Sequence, residues 1–217
     1  MKKKVLMIVT SNSRLGETGK LTGVYLPELA HPYQVFADAG YKIAVASPLG
    51  GDAPIDPGSL SPELEPYLQY AKNTLPLSAI QPGDYDAYFV VGGHGTMWDL
   101  SDNADLQRIL PAAYAQNKIV AAVCHGPAAL VNLKDASGNS LLKGKRVAGF
   151  TNDEEAAAGL TAVVPFLLQD ALVKAGGEYV KAPNWQAHVV VDGKLVTGQN
   201  PASAQGVGEE VARLLGL

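Results

Sequence analysis

Cysteine is nearly absent from this sequence: Cys124 is the only one among 217 residues. An intrachain disulfide is therefore excluded, and a reducing compartment, the cytoplasm, is the expected location. Long apolar runs are also missing, and none approaches the roughly 20 residues of a membrane span. We therefore expect a soluble protein with no membrane partner. The short apolar run Val5–Val9 follows three lysines, but we interpret it as a first strand rather than a signal sequence.

An excess of charge of one sign is lacking too. Lysine and arginine number 17 and aspartate and glutamate 21, for a net charge of −4. Without a basic stripe, no nucleic-acid partner is expected. The four histidines are isolated in the sequence, and the spacings typical of zinc, phosphate-loop and dinucleotide sites are absent. We therefore expect neither a metal nor a cofactor.

What the sequence does contain is a series of short runs that are predominantly apolar rather than alternating: Val5–Val9, Tyr41–Ala46, Ala87–Val91, Ile119–Val123 and Val147–Phe150. Such strands are typical of a parallel sheet covered by helices on both faces. Helical spacing of apolar residues predicts helices over Pro32–Ala39, Asp102–Gln116, Thr161–Ala175 and Ala202–Leu215. This alternation predicts an α/β doubly wound sandwich with a mostly parallel central sheet.

Two stretches fall outside the alternation. Residues 50–84 are rich in Gly, Pro, Asp and Ser, and a loop of that length in a compact domain is more often functional than idle. We predict that it forms an insert or lid. Residues 188–197 predict a C-terminal β-hairpin around Asp192-Gly193-Lys194. The whole chain, 1–217, is expected to form one domain.

A candidate catalytic site begins where the run Ile119–Val123 leads directly into Cys124. Small residues, Ala122 and Gly126, flank the cysteine, as a sharp strand-to-helix turn requires. A helix is predicted to begin near Pro127, and its positive end would favour the thiolate over the thiol. Cys124 is thus a candidate nucleophile. The alternative is a small buried core residue.

His125 follows the cysteine at once. A histidine next to the cysteine does not easily reach its sulfur, so we predict that its ring turns toward an acid. Its backbone N–H would face a developing oxyanion. Asp153, Glu154 and Glu155 follow the next apolar run, at the edge of the sheet where ligands gather. One of these acids would complete a triad, and the others would be solvated acids at a helix start.

Two further segments are candidates for the same edge. Gly92-Gly93-His94 follows the third apolar run, where glycines let a ligand approach backbone N–H donors, although glycine clusters also make ordinary turns. Glu28 lies in a mostly apolar neighbourhood, where burial raises a carboxyl pKa and allows proton transfer near neutral pH. The alternative is an acid in the first turn of a helix beginning at Pro32.

Together these motifs resemble the ThiJ/PfpI superfamily, which is class I glutamine amidotransferase-like, in its branch of stress-induced chaperones and glutathione-independent glyoxalase III enzymes. The resemblance runs nearly from end to end. The matching segments are Tyr25–Pro32, Ala46–Pro48, Gly51–Pro57, Gly92–Gly95, Ala122–Pro127, Phe150–Glu155 and Thr197–Ser203.

The resemblance implies a flavodoxin-like sandwich, commonly a homodimer, with a Cys-His-acid triad and a second glutamate beside the sulfur. Carried over by motif, these residues are Cys124, His125, Glu155 and Glu28. Glu154 is the reserve choice for the third member of the triad.

Gly92, Gly93 and His94 become the expected oxyanion and substrate-binding positions, with backbone N–H groups near Gly93 and His125 as donors. The implied activity converts methylglyoxal, or a similar small 2-oxoaldehyde, to lactate without glutathione. The superfamily also includes holdase chaperones that act on unfolded client proteins, redox sensors, and cysteine amidases and peptidases. Membership alone does not choose among these activities.

Overall fold

The structure, a computed structural model, describes all residues from 1 to 217. It contains nine strands: β1 Lys4–Ile8, β2 Lys42–Ser47, β3 Leu75–Pro76, β4 Ala87–Val90, β5 Ile119–Val123, β6 Arg146–Val147, β7 Glu178–Tyr179, β8 Val189–Asp192 and β9 Leu195–Gly198. Seven of them form one sheet in the order β3-β2-β1-β4-β5-β9-β8. All neighbours in it are parallel except β8 and β9, which form an antiparallel pair. The predicted α/β fold with a mostly parallel sheet and a C-terminal hairpin is confirmed.

The centre of the sheet is its most buried part. Every residue of β4 and β5 is buried, and so is β1 beyond Lys4. Strands buried on both faces have no polar face to alternate with, which explains the uniformly apolar runs in the sequence. Cys124 and His125 directly follow β5, and Gly92-Gly93-His94 lies just beyond β4, so these candidates follow fully buried strands.

Six α-helices accompany the sheet: α1 Leu26–Asp38, α2 Thr96–Asp99, α3 Ala104–Ala115, α4 Asn152–Ala157, α5 Leu168–Lys174 and α6 Ala204–Leu214. Short 3₁₀-helices cover Pro57–Ser59, Pro62–Ala71, Leu77–Ala79, Gly126–Leu130 and Pro201–Ser203. None of the helices has the length and apolar character that crossing a bilayer requires.

Two helices differ from their predicted bounds by more than two residues. The first begins at Leu26 rather than at Pro32, so Pro32 lies inside α1. Because proline has no N–H, it leaves the carbonyl of Glu28 without its usual helical partner. The helix predicted over Thr161–Ala175 is only α5, because Pro165 disfavours helical backbone in the residue before it.

The strand predicted over Val147–Phe150 is wrong in length and in place. Only β6 is extended, and it pairs with β7 outside the central sheet. The Ala148 N–H donates to Thr197 Oγ1 at 2.9 Å, and the Phe150 N–H donates to the Cys124 carbonyl at 2.9 Å. These two hydrogen bonds take the place of a strand ladder and hold the segment against the cysteine turn.

The segment 50–84 has more structure than a loop. It contains three of the 3₁₀-helices and the short edge strand β3, which pairs in parallel with β2. Its prolines at 57, 62 and 76 stand at element starts or on an edge, where a missing N–H costs little.

Candidate active site

Cys124 occupies a sharp turn directly after β5. Its φ is +61°, a left-handed conformation that is rare for any residue other than glycine and that clusters at functional sites. The turn needs a glycine two residues on, since a Cβ at Gly126 would lie 2.5 Å from the Val90 carbonyl oxygen. The chain continues into the five-residue 3₁₀-helix Gly126–Leu130 rather than the expected α-helix.

The Cys124 thiol is not a pre-formed thiolate, contrary to the expectation from a helix dipole. The residue is only 4% exposed. Burial and the neighbouring Glu28 carboxyl raise the pKa of the thiol, and they outweigh the backbone N–H of His125, which lowers it. The resting sulfur is therefore protonated, and its activation needs a base.

A group of the right chemistry for a base is in contact with the sulfur. The Nδ1 atom of His125 lies 3.4 Å from Cys124 Sγ, so the expectation that the adjacent ring falls short of the sulfur is wrong. On its other side, His125 Nε2 lies 2.7 Å from Glu155 Oε2. A carboxylate only accepts hydrogen bonds, so Nε2 carries the proton and Nδ1 is left to accept one from the thiol.

The charges of this pair follow from its surroundings. Burial, reinforced by the nearby His94, lowers the pKa of His125 to about 4 although Glu155 opposes the shift. Burial by itself would raise the pKa of Glu155, but hydrogen bonds from His125 and His94 outweigh it and bring the value to about 2. At neutral pH the acid is thus a carboxylate and the imidazole next to the sulfur is neutral, as a general base requires.

His94 is a second histidine on the same carboxylate. Its Nε2 lies 2.7 Å from Glu155 Oε1, and its ring centroid is 4.0 Å from that of His125. The Thr96 hydroxyl lies 2.9 Å from the Gly93 carbonyl and 3.0 Å from the His125 carbonyl. It joins the glycine turn to the cysteine turn. The backbone N–H groups of Gly93 and His125 donate to no backbone carbonyl. The His125 N–H instead interacts with the Cys124 sulfur, and both N–H groups are candidate donors to an oxyanion formed there.

Glu28 is completely buried, and neither of its carboxyl oxygens has a hydrogen-bond partner of good geometry. Burial raises its pKa to about 8, against the Cys124 side chain and the Gly92 N–H, which lower it. The carboxyl is therefore protonated at neutral pH beside the sulfur. A Cβ at Gly92 would overlap the Glu28 Oε2 atom and lie 3.0 Å from Cys124 Cβ, so only glycine leaves room for the acid there.

The three acids that follow Phe150 have separate environments. Glu155 contacts His125, while Asp153 pairs with Lys181 at the surface. Glu154 is fully buried and points elsewhere. Its carboxylate accepts from the backbone N–H groups of Thr151 and Trp185 and the side-chain amides of Gln199 and Asn200, at 2.8–3.0 Å.

A cavity of about 170 Å³ joins these groups. Its lining comprises Tyr25, Glu28, Gly93, His94, Cys124, His125, Phe150, Ala158, Trp185 and Pro201. The sequence did not single out Tyr25, Phe150 or Trp185 as site residues, because no motif marks an aromatic side chain as cavity lining. No residue of the segment 50–84 is in the lining. A larger groove of about 640 Å³ elsewhere, lined in part by Arg108 and Lys134, contains neither a cysteine nor a histidine.

The residues here that could ligate a transition metal are His94, His125 and Glu155. Their ligand atoms lie within 4.8 Å of one another, and two imidazoles with a carboxylate are a common ligand set. In the structure these atoms satisfy one another as hydrogen-bond donors and acceptor.

The site combines a cysteine on a strand-to-helix turn with a histidine partner and a buried glutamate, in an α/β fold with a mostly parallel sheet. These features define a class of α/β proteins with a Cys-His site. Residues 21–214 match the model of the DJ-1/PfpI family, and the chain belongs to this family.

Within the family, the chain is a homologue of the glutathione-independent glyoxalases. Glyoxalase 3 of Candida albicans is 36% identical over 96% of each chain. The glutathione-independent glyoxalase HSP31 of Saccharomyces cerevisiae is 33% identical over 93% of each chain. The crystal structure of glyoxalase III from Candida albicans has a TM-score of 0.89 at 35% identity, covering 97% of this chain and 96% of that one. Rapid Encystment Protein 24 kDa of Francisella tularensis has a TM-score of 0.94 at 41% identity, covering 98% and 99%.

Proposed function

We propose that this protein is a glutathione-independent glyoxalase that converts methylglyoxal, or a similarly small 2-oxoaldehyde, and water to a 2-hydroxy acid. One observation carries the proposal: a single small cavity holds a thiol, a neutral imidazole at 3.4 Å from its sulfur and a buried, protonated carboxyl. These are the nucleophile, the base and the proton carrier that an aldehyde-to-acid rearrangement needs. The similarity to named glyoxalases over nearly the whole chain supports it.

The first step forms a bond between Cys124 Sγ and the aldehyde carbon, C1. The thiol proton passes to His125 Nδ1, and the imidazolium that forms is stabilised by the Glu155 carboxylate. The oxyanion that develops on C1 is bound by the backbone N–H groups of Gly93 and His125, which donate to no backbone carbonyl. It then takes the proton of Glu28, giving a neutral hemithioacetal and a Glu28 carboxylate.

The second step moves hydrogen from C1 to C2. The Glu28 carboxylate removes the C1 proton, and the electron pair forms a C1–C2 double bond as the C2 oxygen takes a proton from His125. The result is an enediol. Glu28 then returns its proton to C2, while the C1 hydroxyl gives its proton to His125 and becomes the carbonyl of a thioester. Carbon has been oxidised at C1 and reduced at C2, so no external redox partner is needed.

Hydrolysis of the thioester completes the cycle. Water gives a proton to the Glu28 carboxylate as its oxygen attacks C1. The tetrahedral intermediate expels Cys124 Sγ, which takes the proton held by His125. The 2-hydroxy acid leaves, and all three side chains regain their resting protonation states.

The test of this function is an assay of purified protein with methylglyoxal and no glutathione. We expect lactate, measured by proton NMR, to appear in equal amount to the methylglyoxal consumed. Heat-denatured protein at the same concentration is the control for uncatalysed adducts with lysine and arginine. Loss of methylglyoxal without lactate, or no loss above the control, would contradict the proposal.

Activity should be lost in acid only when His125 becomes protonated. The pKa of His125 is lowered to about 4, mainly by burial and secondly by His94, so the base form persists well below the ordinary range of histidine. We expect kcat/KM to stay constant from pH 7 down to about 5 and to fall tenfold per pH unit below about 4. A decline centred near pH 6.5 would show instead that an ordinary, solvated histidine is the base.

The size of the cavity favours this substrate over a peptide. Its volume of about 170 Å³ is below the roughly 300 Å³ at which pockets for drug-sized ligands begin. A peptidase or amidase site needs a cleft that is long enough for a peptide, whereas Trp185 and Pro201 belong to the lining of this small cavity.

The biological setting that fits this activity is a single-domain homodimer of the cytoplasm, where the lone thiol stays reduced. The family resemblance also supports binding of unfolded client proteins. The large apolar side chains exposed at positions such as Leu49, Leu60 and Leu75 are candidates for that binding.

A further inference from the structure

Trp185 has a backbone conformation that its residue type does not favour. Its φ is +66°, in the left-handed region that is an outlier for a bulky side chain. Such a conformation persists only where the surrounding structure determines it, and it concentrates at ligand-binding positions. The question is therefore what holds Trp185 in place and what its indole ring does there.

The holding group is Glu154. Its fully buried Oε1 accepts the Trp185 N–H at 2.8 Å. The same oxygen accepts from Gln199 and Asn200, which follow β9 and belong to the rigid end of the sheet. A charged acceptor with several donors makes strong hydrogen bonds in a buried site. Glu154 thus fixes the cavity wall, while its neighbour in sequence, Glu155, orients His125.

The rest of the segment 182–186 is tied to the same two amides. Gln199 Oε1 accepts the Ala182 N–H at 2.8 Å, and its Nε2 donates to the Ala182 carbonyl at 3.1 Å. Asn200 Nδ2 donates to the Gln186 carbonyl at 2.7 Å. Hydrogen bonds thus hold the segment at Ala182, Trp185 and Gln186, and they fix the position of the wall that it forms.

The indole ring lies at the mouth of the cavity. Its centroid is 5.7 Å from that of Phe150, edge to face, and Phe150 in turn lies 4.3 Å from the His125 ring. Trp185 is 49% exposed, and it is the largest side chain of the lining that reaches solvent. Part of this side chain therefore lines the cavity, and part of it is in contact with water.

We propose that Trp185 is a specificity-determining residue: held by Glu154, it limits the substituent on the 2-oxoaldehyde to a small group. This inference rests on the proposed glyoxalase function for its substrate class, but the access that Trp185 controls is measurable without turnover. A fixed apolar wall discriminates by roughly 10- to 200-fold against one added or missing methylene, and a phenyl group is much larger than that.

Alkylation of Cys124 tests access directly, because it is the only cysteine. In the wild-type protein, iodoacetamide is expected to react much faster than the bulkier N-phenylmaleimide, relative to their rates with free cysteine. Trp185→Ala should raise the N-phenylmaleimide rate at least about tenfold and change the iodoacetamide rate less than about twofold. Trp185→Phe, which keeps an aromatic wall, should retain most of the wild-type ratio. An unchanged ratio in Trp185→Ala would overturn the proposal.

A second variant tests the same prediction in case Trp185→Ala does not fold. Trp185→Gly suits the left-handed backbone better than alanine does, and it is expected to show the same rise in the N-phenylmaleimide rate. Mass spectrometry of the modified protein measures both rates.

A second experiment tests substrate specificity by comparing kcat/KM for methylglyoxal with kcat/KM for phenylglyoxal in the same variants. We expect the ratio to shift toward phenylglyoxal at least about tenfold in Trp185→Ala and Trp185→Gly. No shift in either active variant would overturn the role in specificity. A wild-type protein inactive on both aldehydes would refute the glyoxalase function, while the alkylation ratio would still decide whether Trp185 controls access.

Discussion

Replacing Cys124 with alanine is expected to lower lactate formation from methylglyoxal by at least about 10³-fold, because no other group in the cavity replaces the sulfur as nucleophile. Glu28 is protonated, Glu155 is engaged by two histidines, and His125 faces the position that the sulfur leaves empty. The measurement is single-turnover production of lactate by wild-type protein and variant at equal concentration.

The control for this change is a measurement that the variant is folded. Alanine and cysteine are equally strained at a φ of +61°, so near-ultraviolet circular dichroism should be unchanged. Cys124→Ser keeps the size and a hydroxyl but loses the soft nucleophile, and it should also be nearly inactive. Activity of Cys124→Ala within tenfold of the wild-type value would exclude covalent catalysis by the thiol.

The fold was readable from the sequence because its central strands are buried on both faces. A strand such as β5, apolar at all five positions, is consistent with few architectures other than a covered parallel sheet. The predictions were wrong for elements whose position depends on partners that are distant in the sequence. The chain from Val147 to Phe150 is as apolar as a strand, but hydrogen bonds to Thr197 and the Cys124 carbonyl hold it outside the sheet, and both partners are distant in sequence.

At the site, the sequence indicated the residue types but not their orientations. The Cys124-His125 pair follows from a local motif, whereas contact between the ring and the sulfur depends on a left-handed turn. The choice between Glu154 and Glu155 as the acid on His125 was open in the sequence. The structure places Glu155 on His125 because Glu154 is occupied by donors from Trp185 and the end of β9.

Replacing Glu28 with glutamine is expected to stop lactate formation and, at the same time, to stabilise the fold. The amide keeps the shape of the side chain but carries no transferable proton. Cys124 is then still able to form a hemithioacetal, and the hydrogen transfer from C1 to C2 fails. Trapping with ¹³C-methylglyoxal should show the adduct by mass spectrometry without any labelled lactate.

The gain in stability follows from the pKa of Glu28, which burial raises from 4.5 to about 8. Below pH 4.5 both folded and unfolded chains carry the proton, so this group imposes no penalty. Between pH 4.5 and 8 the unfolded carboxyl ionises while the folded one does not, and wild-type stability falls by about 1.4 kcal/mol per pH unit. Glutamine does not titrate, so the variant should be more stable than wild type by about 4 kcal/mol at pH 8 and equal to it near pH 4.

Glu155→Gln is the matched change with the opposite sign. The pKa of Glu155 is lowered to about 2 because hydrogen bonds from His125 and His94 outweigh the effect of burial. Its contribution to stability is therefore present above pH 4.5 and is lost as the pH falls toward 2. At neutral pH this variant should be less stable than wild type, and its deficit should disappear in acid. Urea unfolding from pH 2 to 8 measures both variants. A Glu28→Gln curve parallel to that of the wild type would show that Glu28 is ionised in the folded protein and is not the proton carrier.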